Sequence, residues 1–127
     1  MLRSILAVII GVFVWFLVAT VGNWILRLAI PGYSAVEVSM NFTLTMMIGR
    51  LTLGLVSSFA AGLVGATISR NRIAPTVAAA IMLLLFVPVH YMLWAKFPIW
   101  YHLFFLITLA PTMLIGARLW RSSLREP

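Results

Sequence analysis

His90 and His102 stand equally far from Lys96. If the chain turns back at Lys96 as an antiparallel hairpin, both imidazoles reach the same depth. Two histidines at one depth could bind a metal ion or relay a proton. A metal needs a third and a fourth ligand, and Glu37 or water is all the sequence offers. The competing assignment puts both histidines in an interfacial aromatic belt with Tyr91, Trp94, Trp100 and Tyr101. Other polar groups cluster near the same level. Asn23 and Arg27 are one helical turn apart at the end of an apolar run, while Glu37, Asn41 and Arg50 flank the start of the next. Glu37 is the one acid facing Arg27, Arg50 and Lys96, so positive charge is left over on that side. That surplus is expected to snorkel to lipid phosphate, or to receive an anion or an acidic residue of a partner protein. The expected polar cluster is therefore Asn23, Arg27, Glu37, Arg50, His90 and His102, with no metal and no cofactor assigned to it.

Most catalytic chemistry lacks its residues. The chain has no cysteine and no aspartate, and its two acids, Glu37 and Glu126, face nine lysines and arginines. Disulfides, thiolate metal sites, cysteine nucleophiles and aspartate dyads are thereby excluded. There is no HExxH, no Gly-x-Ser-x-Gly and no phosphate-binding glycine loop. Ser57 and Ser58 fall among small residues suited to packing, away from either histidine in sequence. No catalytic residue and no nucleic-acid partner are expected.

The elements that must position the cluster follow from composition. The chain has 127 residues, of which 64% are hydrophobic and 9% charged, and its mean hydropathy is +1.14. Soluble domains carry roughly a quarter charged residues, so a bilayer is the natural solvent. Reading between charges gives four apolar runs, Ser4–Leu26, Leu51–Ser69, Ile73–Ala95 and Phe97–Ala117, each about long enough to cross a bilayer. The expected spans lie near 4–29, 42–69, 74–95 and 98–119, with an outer segment at 31–41. The expected fold is all-α: one four-helix transmembrane bundle over residues 1–127, with up-down topology. The first apolar run exceeds a signal peptide's usual core of roughly 7–15 residues, and no small-x-small cleavage site precedes Asn23, so a retained helix is expected.

Local signals mark the boundaries. Pro31-Gly32-Tyr33 ends the first span, Arg70-Asn71-Arg72 joins the second to the third, and Pro75 and Pro98 suit first helical turns. Pro88 and Pro111 lie inside spans, where a kink serves either as a hinge or as fixed packing. Arg3, Arg70, Arg72, Arg118, Arg121 and Arg125 fall on one side of this arrangement, and Arg27, Arg50 and Lys96 on the other. The bias places both termini in the cytoplasm. Arg70, Arg72, Arg118, Arg121 and Arg125 are expected to meet lipid headgroups there. The uncharged central thirds of the spans argue against transport by a single chain.

Residues 34–49 fit a span least well. Val36, Val38, Met40, Phe42, Leu44 and Met46 alternate with polar residues, as in a strand. Yet Ser34 and Glu37 form a capping-box pattern, and Glu37, Asn41 and Thr45 recur every four residues. A lone strand would leave its backbone unpaired in lipid. The expectation is a second helix that begins near Ala35 on the outer side and continues into the membrane. Further along it, Gly54, Ser58, Gly62 and Ala66 repeat every four residues beside Ser57, Ala61, Gly65 and Ser69. Small residues at this spacing allow helices to approach closely, with Ala7 and Gly11 or Ala74 and Ala78 as partners. Val64-Gly65-Ala66 before Arg70 also echoes Ile115-Gly116-Ala117 before Arg121.

Taken together, Ile5 to Gly11, the Pro31-Gly32-Tyr33 break, the small-residue helix ending at Arg70, and Phe97-Pro98-Ile99-Trp100-Tyr101 through Leu119 give the chain a family look. It resembles a group of short, uncharacterised bacterial inner-membrane proteins with four predicted transmembrane helices. The resemblance implies the same architecture and membrane, and carries no activity and no functional residue. The expected function is non-enzymatic action through helix–helix contacts, as a self-associating bundle or an accessory subunit. Membrane lipids, a second copy or another membrane protein are the expected partners. The alternative is a small oligomeric transporter or channel with the outer Arg/His cluster at its mouth.

Overall fold

Four apolar runs become four long helices: α1 (Leu2–Ala29), α3 (Leu44–Ser69), α4 (Ile73–Met92) and α5 (Ile99–Ser123), with a single-turn α2 (Tyr33–Val36) after α1. A 3-10 turn at Trp94–Lys96 joins α4 to α5. The computed structural model describes residues 1–123, and no strand occurs among them; Arg125 lies outside the described residues. Each long helix is long and apolar enough to cross a bilayer. Their outward faces remain apolar, as at Phe13, Leu84 and Ile107, which suits contact with acyl chains.

Direction follows from which residues meet. Gly11 lies against Ala61, and Gly65 against Ala7, so α1 and α3 are antiparallel. Gly54 meets Phe105 and Gly62 meets Met113, so α3 and α5 run the same way. The Trp15 ring lies 4.7 Å from that of Phe86, tilted against it, and Ser4 accepts a hydrogen bond from Asn71, which aligns α4 with α1. The bundle is built around α3, which packs along both α1 and α5. Gly54, Ser58, Gly62 and Ala66 are all buried there. A Cβ at Gly62 would collide with the backbone of Met113, and one at Gly116 with the backbone of Phe59. The core beside these contacts comprises Trp15, Met82, Leu109 and Met113.

The helix expected to start near Ala35 is interrupted. Gly32, at φ 80°, turns the chain into α2, and Met40 adopts a left-handed conformation at φ 59°. The helix restarts at Thr43, whose side chain accepts from the Met46 backbone N–H at 3.3 Å. Ser34 does not serve as N-cap, because the Glu37 carboxylate is drawn to Arg27 and Asn23 instead. The break places the Phe42 ring 5.2 Å from Tyr33 and 5.9 Å from Phe97. Pro75 lies in the first turn of α4, whereas Pro98 precedes α5. Pro88 and Pro111 sit within continuous helices. At the end nearer the termini, Asn71 Oδ1 accepts from the Ile73 and Ala74 backbone N–H groups.

Candidate functional site

The last turns of α1 present Asn23 and Arg27 one above the other, as their spacing dictates. The Gly32 turn then folds the chain back, so Tyr33 becomes fully buried against α1 and Glu37 comes to lie over it. Arg27 grips the Glu37 carboxylate with two hydrogen bonds, Nε to Oε1 and Nη2 to Oε2 at 2.9 Å. The Arg27 guanidinium holds the Glu37 carboxyl below the usual carboxylate range, with Asn23 adding a weaker donor. Asn23 Nδ2 donates to Glu37 Oε2 at 3.4 Å, and Asn23 Oδ1 accepts from the Tyr33 hydroxyl at 2.8 Å.

Arg50, nearly two turns into α3, completes this line. Its Nη1 donates to the Tyr33 hydroxyl at 2.8 Å, and its Nε donates to the Tyr101 hydroxyl at 3.2 Å. The guanidinium carbon stands 4.6 Å from the centre of the Phe42 ring, within cation–π range. Arg50 is half-buried, and among the described residues no carboxylate pairs with it, since the one ion pair there joins Arg27 to Glu37. The two arginines thus have different environments: Arg27 is exposed and paired, Arg50 sheltered and held by neutral hydroxyls.

His90 and His102 meet across the α4–α5 hairpin, with Nδ1 to Nδ1 at 2.7 Å, and both are buried. The tautomers follow from the neighbours. The Trp94 carbonyl lies 3.3 Å from His102 Nε2. A carbonyl only accepts, so Nε2 of His102 carries the proton and its Nδ1 is the acceptor when the ring is uncharged. His90 must then donate from Nδ1, which leaves its Nε2 as a lone pair. That atom makes no hydrogen bond among the described residues. Trp94 stacks on His102 at 4.8 Å, so the histidines are embedded in aromatics and also paired with each other. No group of three His, Cys, Asp or Glu side chains gathers among the described residues. A metal held by this pair would take its other ligands from elsewhere.

These groups surround a cavity of about 410 Å³ between α1, α3, α4 and α5, a size typical of small-molecule sites. Asn23, Arg50, His90 and Tyr101 give it a polar end, while Trp15, Phe86 and Phe105 line its apolar part. Trp15 lies about 12 Å deeper along α1 than Asn23, at about 1.5 Å per residue. Its indole N–H donates to Ser58 Oγ at 3.0 Å, and Ser58 donates in turn to the Gly54 carbonyl at 2.7 Å. Of the cluster read from sequence, Asn23, Arg27, Arg50 and His90 line the cavity, Glu37 caps the arginine beside it, and His102 stands behind His90.

Arg70, Arg72, Arg118 and Arg121 lie at the opposite end. Arg72, Arg118 and Arg121 line a second recess there, of about 500 Å³. Sequence reasoning missed Tyr33, Phe42 and Trp15, and placed Tyr101 in an interfacial belt. Trp15 carried a usable signal, because an indole N–H in the middle of a span needs a buried acceptor. No family model, curated protein or solved structure matches the chain.

Proposed function

We propose that this is a non-enzymatic, multi-pass protein of the bacterial inner membrane that binds an anionic molecule at Arg50. Both termini are cytoplasmic in this reading, which rests on the arginine bias, and the cavity belongs to the outer half of the bilayer. The observation that carries the proposal is the state of Arg50. Its hydrogen bonds go to neutral tyrosine hydroxyls, its Nη2 makes none among the described residues, and it lines a cavity. A half-buried guanidinium hydrogen-bonded only to neutral groups keeps charge that Glu37 offsets from a distance and without a direct contact. A bound anion supplies the missing partner through charge-assisted hydrogen bonds.

The same geometry bears on the other roles. The small-residue face of α3 is occupied by α1 and α5, so self-association or an accessory role would use a different, lipid-facing surface. Below the cavity, Met82, Leu109 and Met113 are closely packed, which favours binding over passage through one chain. The test is thermal unfolding in an uncharged maltoside detergent with added laurate, dodecyl phosphate or dodecanol. Either anion raises the Tm of the wild type, dodecanol does not, and Arg50→Met abolishes the response. No anion response in the wild type, or an equal one in Arg50→Met, would refute the proposal.

A further inference from the structure

The lone pair on His90 Nε2 makes the cavity more than a cation site. With both rings uncharged, the Trp94 carbonyl fixes the His102 tautomer, and His102 fixes that of His90. His90, with this unused acceptor, lines the same cavity as Arg50. A fully ionised oxygen suits Arg50 but repels a lone pair. The fitting ligand presents anionic oxygens to one and a hydroxyl to the other.

Carboxylates near neutral pH carry no proton, and neither do phosphodiesters. A phosphate monoester keeps a proton on roughly a tenth of its molecules at pH 7 and on about half at pH 6, since its second ionisation falls at about 6. We infer that the cavity selects a phosphate group that still carries a titratable proton, with Arg50 donating to its anionic oxygens and His90 Nε2 accepting its hydroxyl. This inference rests on the anion-binding reading above. Tyr101 supports the arrangement: its hydroxyl accepts from Arg50 and donates to nothing among the described residues, so its O–H is available to a third phosphate oxygen. The apolar walls at Trp15, Phe86 and Phe105 suit an alkyl chain on the phosphate, which makes an amphiphilic monoester one source and free phosphate the other.

The experiment titrates the protein in maltoside near pH 6, where about half of the monoester keeps its proton, with four probes: dodecyl phosphate, its methyl diester, laurate and inorganic phosphate. Binding is read from tryptophan fluorescence, as Trp15 lines the cavity. The wild type binds dodecyl phosphate at least about tenfold more tightly than the diester or laurate, one hydrogen bond to a charged partner being worth that much. Inorganic phosphate binding as tightly as dodecyl phosphate identifies free phosphate as the source; weaker binding identifies the monoester. His90→Asn retains a donor toward His102 but removes the second ring nitrogen, and it reduces the preference to within about twofold. A circular dichroism melt establishes that this variant is folded, and the wild-type comparison of monoester with diester stands without it. Equal binding of monoester and diester would overturn the inference while leaving anion binding at Arg50 intact. A preference that persists in folded His90→Asn would assign it to charge alone and overturn it too. Binding of none of the four would remove the anion-binding reading itself.

Discussion

Replacing Gly62 with alanine tests whether α3 and α5 meet backbone to backbone. A Cβ at this position would run into the carbonyl oxygen of Met113 and lie 2.7 Å from its carbonyl carbon and 2.9 Å from its Cα. Optimal carbon–carbon separations are about 3.5–4.0 Å, and backbone atoms inside a helix cannot rotate aside. α5 must therefore retreat by on the order of 1 Å, opening the packing around Met113 and Leu109, both almost fully buried. Overpacking of this kind costs about 1–3 kcal/mol, and the better helix propensity of alanine offsets up to about 1 kcal/mol of it. The net loss is about 0–2 kcal/mol against the wild type and about 1–3 kcal/mol against glycine-to-alanine controls that gain the same propensity, the latter roughly 3–15 °C in Tm for a chain of this size. Thermal unfolding in maltoside, followed by helical circular dichroism, measures it. Gly11→Ala and Gly65→Ala are the matched controls, because a Cβ there would stand 3.5 Å and 3.6 Å from the opposing carbonyl oxygen, in ordinary contact. If Gly62→Ala melts with those controls, the close approach of α3 and α5 is wrong.

The remaining predictions concern the polar groups. Trp15→Phe removes the indole donor to Ser58 but leaves the Ser58 bond to Gly54 intact, so it costs ~1 kcal/mol. A double-mutant cycle with Ser58→Ala should recover most of that as coupling, and zero coupling would contradict the contact. Glu37→Gln lowers Tm at neutral pH, because its carboxyl is held below the usual range by Arg27. That contribution is complete above the ordinary glutamate value near about 4.3 and is lost as pH falls through the lower folded value. The gap between wild type and variant should close in acid, and a gap independent of pH would count against the ion pair.

What the sequence reveals here divides along physical lines. Helix existence was plain, since a span is a local property: apolar runs between charged residues marked the four long helices α1, α3, α4 and α5. The equal spacing of His90 and His102 from Lys96 was likewise legible, since a hairpin turns equal spacing into equal depth. Their direct contact required the packing of α4 on α5. Glu37 was misread because a capping-box pattern is local, whereas its partner Arg27 approaches through the Gly32 turn. The environment of Arg50 was the least accessible feature. It needs Tyr33, Phe42 and Tyr101, which come from three segments that only the folded bundle brings together.

Native mass spectrometry of the protein extracted from its own membrane tests the central claim most directly. The account predicts that the wild type retains a stoichiometric anionic ligand and that Arg50→Met, equally folded, has lost it. A wild type that carries no anion, or an Arg50→Met variant that carries the same one, would contradict the claim that Arg50 is the anchor of a ligand site.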